Sequence, residues 1–166
     1  MEPVYRFEII VPAEAVDGNR HVNNVAYVQW MQDAAVRHSA ATGCTRMTEA
    51  IGATWVARMH RIEYLSPAFA GETITIMTWV VNFRRVRSLR RYQFVRAADQ
   101  KTIAEGETDW VFINAATGRP RGIPKGGDSW RVRICPATWV CRNRQPAAPG
   151  GRLAEHERLH GTSLSL

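Results

Sequence analysis

A dense run of polar side chains stands immediately before an apolar stretch in the segment VDGNRHVNNVAYVQWMQDAA, residues 16–35. Asp17 is the one acid close enough in sequence to reach the start of the apolar stretch. A carboxylate there could attack a carbonyl carbon or activate a water molecule that does so. Asn19 and His21 alternate with Asp17, so in an extended loop all three side chains could face one cavity. They could orient water and polarise a carbonyl group there, and neither role needs a metal ion.

The apolar stretch predicts a long amphipathic helix directly after these residues. Asn23 or Asn24 is a plausible N-cap, because a short side-chain oxygen can accept a hydrogen bond from an N–H of the first turn. Apolar residues recur at helical spacing, and Gly43 would end a helix of about 19 residues, roughly 28 Å long. The start of such a helix offers free N–H groups and the positive end of its dipole. Those groups suit it to hold negative charge on an attacked carbonyl oxygen.

Five segments have the alternation and turn signals typical of strands, one before the helix and four after it. They are residues 4–11, 53–65, 72–83, 88–98 and 102–114. Their short connections favour antiparallel pairing. The sequence therefore predicts an α+β architecture with one helix on one face of an antiparallel sheet.

Composition limits the remaining possibilities. The chain has 166 residues and a net charge of +7. Residues 1–118 hold 13 Lys and Arg against 12 Asp and Glu, whereas residues 119–166 hold 9 against 3. We therefore expect a domain at 1–124 without a nucleic-acid partner, and a basic, irregular and poorly ordered tail at 125–166. The sequence contains no apolar run of the roughly 18 residues that span a bilayer, which predicts no membrane partner and a cytoplasmic location.

The segment DGNRHVNNVAYVQW, residues 17–30, resembles the signature of the 4-hydroxybenzoyl-CoA thioesterase-like family, which includes acyl-CoA and acyl-ACP thioesterases. The matching features are an acid four residues before His-Val-Asn-Asn and a tyrosine three residues after the second asparagine. Segments within residues 62–124 resemble the later strands of the same family. The resemblance implies a hotdog fold, in which a five-stranded antiparallel sheet wraps one long central helix.

The resemblance also implies a reaction, the hydrolysis of an acyl-CoA thioester to a free acid and coenzyme A without a cofactor. It makes Asp17 the catalytic carboxylate and places the N–H that polarises the thioester near Asn24. Asp17, Asn19 and His21 match a triplet of plant acyl-ACP thioesterases, but Pro67 replaces the glutamate that those enzymes also use. The alternatives are an acyl-carrier-protein thioesterase and a non-catalytic acyl-thioester-binding protein. A homodimer or homotetramer is expected.

The segment FRRVRSLRRY, residues 83–92, holds five arginines that could bind substrate. They could contact the phosphates of coenzyme A or the acidic face of a carrier protein, or they could simply form a solvated hairpin surface. Alternation along a strand would send only some of them to one face. The candidate substrate-binding residues are Arg84, Arg85, Arg87, Arg90 and Arg91.

Overall fold

A computed structural model describes residues 4–124, which form two helices and one sheet. The predicted tail at 125–166 lies outside the described residues. In chain order the helices and strands are β1 (Tyr5–Ile10), α1 (Asn24–Ala41), α2 (Cys44–Ala50), β2 (Ala53–Tyr64), β3 (Thr73–Phe83), β4 (Arg87–Arg96) and β5 (Thr102–Asn114).

The five strands form a single sheet in the order β1-β3-β4-β5-β2, and every neighbouring pair is antiparallel. The prediction of one long helix with a five-stranded antiparallel sheet is therefore confirmed. Although β2 precedes β3 in the chain, it pairs with β5 at one edge of the sheet. β1 forms the other edge.

Helix α1 packs its apolar stripe on the inward residues of the three central strands. Its buried residues are Tyr27, Trp30, Met31, Ala34, Ala35 and His38. On β3 and β4, alternate residues are buried, as the two-residue period of a strand requires. At Gly106 of β5 an added Cβ would lie 2.9 Å from the Sδ atom of Met31 on α1. The side chain of Met31 therefore occupies the space that a side chain at position 106 would need.

Helix α2 was not predicted from the sequence. Gly43 ends α1 as expected, with a φ of 74° that favours glycine, but the chain then enters a second helix of seven residues. A segment this short cannot show a sustained helical period. Helix α2 contacts both α1 and β2.

Strand β2 is long and, unlike the other strands, mostly exposed. It has 12 residues, most of them exposed, and its outer edge has no neighbour among the described strands. The side chains of Val56 and Met59 are 40% and 45% exposed. No helix within residues 4–124 is long and apolar enough to cross a membrane.

Candidate active site

The loop that carries Asp17 is a tight turn rather than the extended segment predicted from the sequence. Val16 and Val22 pair as an isolated antiparallel bridge, and the N–H of Asp17 donates to the carbonyl of His21 at 2.9 Å. The N–H of Arg20 donates to the carbonyl of Asp17, and Arg20 has a φ of 63°. These bonds close the loop on itself, which explains why simple alternation of side chains does not apply.

The carboxylate of Asp17 is fixed by its own loop. Its Oδ1 atom accepts a hydrogen bond of 2.8 Å from the N–H of Asn19, two residues later, and the residue is half-buried. This local bond limits the rotation of the carboxylate. Asp17 can therefore present a carboxylate oxygen from a defined position.

Asn19 and His21 both lie exposed on this turn. The ring of His21 packs edge-on against Phe69, with ring centroids 5.4 Å apart. Within this chain, the structure brings Asp17 together with the backbone of Asn19. It does not enclose the three predicted side chains in one cavity. They lie instead on the same exposed turn before α1.

The start of α1 supplies the second part of the candidate site. Asn23 is the N-cap, as proposed, and its Oδ1 accepts from the N–H of Val25 at 2.9 Å. The N–H of Asn23 donates to the carbonyl of Ala15, and that of Val22 to the carbonyl of Ala68, which anchors the loop on both sides. Within residues 4–124 the N–H of Asn24 donates no hydrogen bond, so it is available to a carbonyl oxygen.

Aromatic side chains support the first turn of α1 from below. The ring of Tyr27 contacts those of Trp30, Tyr64 and Phe94, with centroids 5.2–5.3 Å apart. The rings of Trp30 and Phe94 also lie near each other, with centroids 6.5 Å apart. Burial raises the pKa of Tyr27 to about 12, so this phenol stays neutral. The hydroxyl of Tyr64 donates to the carbonyl of Asn24 at 3.3 Å.

Tyr64 and Phe69 were not predicted as neighbours of the site. Both lie at least 40 residues after Asn24 in the chain, and folding brings them to the N-terminal end of α1. The Glu63-Tyr64 pair was visible in the sequence, but only the tertiary structure shows which part of α1 it contacts.

The five candidate arginines lie in three places: two in a turn, two on the outer face of β4 and one on its inner face. Arg84 and Arg85 lie exposed in the turn between β3 and β4. Arg87 forms an ion pair with Asp109, and Arg91 has Glu107 at 3.8 Å. Arg90 is 7% exposed and faces the helix side, so it does not share the surface of the other four.

Comparison with known proteins agrees with this architecture. Residues 11–131 match the Thioesterase-like superfamily. A search of curated proteins finds no match. Among solved structures, a hypothetical protein from Staphylococcus aureus in complex with CoA has a TM-score of 0.74 at 18% identity, covering 93% of this chain and 96% of that one.

Two named thioesterases show the same fold. The 1,4-dihydroxy-2-naphthoyl-CoA thioesterase from Synechocystis has a TM-score of 0.69 at 17% identity, covering 80% of this chain and 96% of its own. An acyl-ACP thioesterase from Bacteroides thetaiotaomicron has a TM-score of 0.72 at 21% identity, and the match covers 90% of this chain and 58% of that one. The family match spans well over half of the sequence, and the chain therefore belongs to the Thioesterase-like superfamily.

Proposed function

We propose that this protein is an acyl-CoA thioesterase, which hydrolyses an acyl-CoA thioester to a free acid and coenzyme A. One observation supports this more than any other. The fixed carboxylate of Asp17 lies seven residues before the N–H of Asn24, which is available at the N-terminal end of an 18-residue helix. The pair supplies a base or nucleophile and an oxyanion donor from one continuous segment.

The reaction follows from these two groups. In the general-base route Asp17 removes a proton from water, and the water oxygen bonds to the thioester carbon. The carbonyl oxygen becomes negative and accepts the hydrogen bond of Asn24 N–H at the positive end of α1. Collapse of this intermediate breaks the carbon–sulfur bond and releases the coenzyme A thiolate. In the nucleophilic route Asp17 itself attacks, and water hydrolyses the resulting anhydride.

Asn19 and His21 have supporting roles in this proposal. Both side chains are exposed on the same turn as Asp17, so they can orient the attacking water and polarise the carbonyl. The Asn24 N–H, as a single oxyanion donor, is commonly worth about 10²–10³ in kcat. Asn19 and His21 would add to this contribution, and none of these roles needs a metal ion.

Coenzyme A is favoured as the thiol carrier by the free arginines at the β3–β4 turn. Arg84 and Arg85 are exposed and form no ion pair within the described part of the chain. They are available to the phosphates of coenzyme A, whereas Arg87 and Arg91 already face carboxylates. The related fold from Staphylococcus aureus was solved with CoA bound, which supports the same choice.

A panel of thioesters tests this proposal. Wild-type protein is incubated with acyl-CoA, with the same acyl group on a carrier protein, and with a short thioester that lacks the nucleotide. Thiol release is then recorded. We expect the acyl-CoA to have the highest kcat/KM, and the short thioester to lose mainly through a raised KM. Preference for the carrier-bound substrate would support the acyl-carrier-protein alternative. Tight binding without thiol release would contradict hydrolysis.

A further inference from the structure

A cavity of about 280 Å³ lies on the helix side of the sheet, away from the Asp17 turn. Residues of α1, of α2 and of β2–β5 line this partly open cavity. Its lining residues include Trp55, Val80, Phe83, Cys44, Ser88 and Arg90. Along α1 its first residue is Gln32, eight residues after Asn24 and therefore about 12 Å along the helix axis. Within one chain the cavity is thus separate from the candidate active site.

Arg90 brings a positive charge into this cavity. The residue is 7% exposed, and an arginine side chain keeps its charge in proteins. Its NH1 group donates to Nδ1 of His38 at 2.8 Å and is 3.2 Å from Oγ1 of Thr78. Because arginine has only donors, His38 must accept through Nδ1 and is neutral in this contact. Both partners of the guanidinium therefore lack a negative charge.

No carboxylate balances Arg90 within residues 4–124. Burial lowers the pKa of Arg90, and the groups that favour its charged form are Tyr92 and Cys44 rather than an acid. Glu49 also lines the cavity, but it is exposed and forms no ion pair with Arg90 in the described chain. A buried charge without an opposite charge is costly, and proteins normally pair it.

We propose that the cavity binds an organic acid, with its carboxylate on Arg90 and its apolar body against Trp55, Val80 and Phe83. The volume is about twice the ~150 Å³ of a cavity that holds benzene, so it suits a compact aromatic or short aliphatic acid. A planar guanidinium recognises a carboxylate through parallel N–H···O bonds, which a neutral ligand of the same shape cannot reproduce. The hydroxyl of Ser88 and the thiol of Cys44 line the same space.

The carboxylate bound to Arg90 could come from either of two sources. It could belong to a free carboxylic acid, or it could be the distal carboxylate of an acyl group. Binding of free acids requires no turnover, so it can be measured whether or not the protein hydrolyses thioesters. Failure of this proposal and failure of the proposed function are therefore distinguishable.

Calorimetric titration of the full chain tests the proposal with benzoate, naphthoate and octanoate beside their amides. We expect each acid that binds to do so at least about ten-fold more tightly than its amide, as hydrogen bonds to charged groups require. Arg90→Met should remove this preference. Glu49→Gln should leave it unchanged or increase it, since Glu49 is not the counter-ion. Equal binding of acids and amides by wild-type protein, or an unchanged preference in Arg90→Met, would overturn the proposal.

A second pair of variants covers the possibility that Arg90→Met folds poorly. Val36 is 53% exposed and lines the cavity, so Val36→Trp should obstruct it and weaken acid binding at least about ten-fold. Val25 is 71% exposed on the same helix and does not line the cavity, so Val25→Trp is the matched control. Equal weakening by both variants, or by neither, would contradict a ligand in this cavity.

The source of the acid is then resolved by kinetics. An acyl-CoA that ends in a carboxylate is compared with one of equal length that ends in a methyl group, in wild-type protein and Arg90→Met. A preference for the carboxylate that disappears in Arg90→Met assigns the cavity to the acyl group. Acid binding without such a preference assigns it to a free acid. Absence of both acid binding and preference rejects the site.

Discussion

Neighbouring asparagines at the start of α1 have separate tasks. The side chain of Asn23 accepts from the N–H of Val25, whereas the proposed role of Asn24 is to donate its backbone N–H to the thioester oxygen. Asn23→Ala should therefore lower the free energy of unfolding by about 1 kcal/mol, as loss of an N-cap does. Asn24→Ala keeps the backbone donor and should leave both stability and kcat near wild type. Urea unfolding and thiol release measure the two effects. A large loss of kcat in Asn24→Ala would show that its side-chain amide takes part instead.

His38 makes stability depend on pH. Burial, followed by the charge of Arg90, lowers the pKa of His38 from 6.5 to about 3. Between about pH 6.5 and about pH 3, His38 binds a proton in the unfolded chain but remains neutral in the folded chain. Stability is therefore lost as pH falls through this range, by up to about 1.4 kcal/mol per pH unit.

This dependence can be measured by urea unfolding at about pH 7 and about pH 5. Wild-type protein should lose about 2 kcal/mol more than His38→Gln over that interval. Glutamine does not titrate and still offers Arg90 an acceptor. Equal losses in the two proteins would mean that His38 is charged in the folded state.

For these residues the sequence indicated which side chains matter, but it did not indicate how they are arranged in space. A cap at Asn23 or Asn24 followed from their short polar side chains, and the structure shows that Asn23 is the cap. Alternation predicted that the arginines would divide between faces. The burial of Arg90 depends on the register of β4 with β3 and β5. That register cannot be predicted from the β4 segment alone. The turn at Asp17 depends on backbone hydrogen bonds that side-chain spacing does not reveal.

The packing of α1 on β5 depends on Gly106. An alanine Cβ would lie 2.9 Å from Sδ and 3.1 Å from Cε of Met31, which is fully buried. Because these atoms are the flexible end of a methionine, Gly106→Ala should cost about 1 kcal/mol in unfolding free energy, the low end of the range for overpacking. Met31→Leu, which is shorter, should recover part of this loss in the double variant.

A matched control is Gly122→Ala, because an added Cβ there meets nothing within 4 Å. Its unfolding free energy should stay close to that of wild type. If the Gly106 and Gly122 variants are equally stable, the close approach of helix and sheet is not what Gly106 permits.

Helices and strands were predictable where they are long and periodic. The segment 102–114 coincides with β5, and the other strand boundaries agree within two residues. Helix α2 was missed because seven residues carry too little pattern. The placement of β2 beside β5 was also not predictable, since it depends on contacts between segments about 50 residues apart.

At the scale of the whole molecule, β2 is a long sheet edge with no neighbour among the described strands, and we expect this edge to favour self-association. An exposed strand with free N–H and C=O groups and apolar side chains is a template for pairing with another chain. We therefore expect light scattering to give at least twice the 18.7 kDa mass of one chain. Val56→Lys combined with Met59→Lys should reduce the mass, because charged side chains oppose edge pairing.

The opposite edge provides the control for this prediction. Ile10 lies at the end of β1 and is 69% exposed, so Ile10→Lys should leave the mass of the assembly unchanged. A wild-type protein that is a monomer and active at micromolar concentration would contradict the expected homodimer or homotetramer.

The most direct measurement is the kcat for acyl-CoA hydrolysis by Asp17→Asn beside Asp33→Asn. Asp33 lies on α1 and accepts a hydrogen bond from the side chain of Gln29, so Asp33→Asn controls for the loss of one charge. We expect Asp17→Asn to fold normally and to lose at least about 10²-fold in kcat, and Asp33→Asn to match wild type. Near-normal turnover by folded Asp17→Asn would contradict the assignment of the chemistry to the turn before α1.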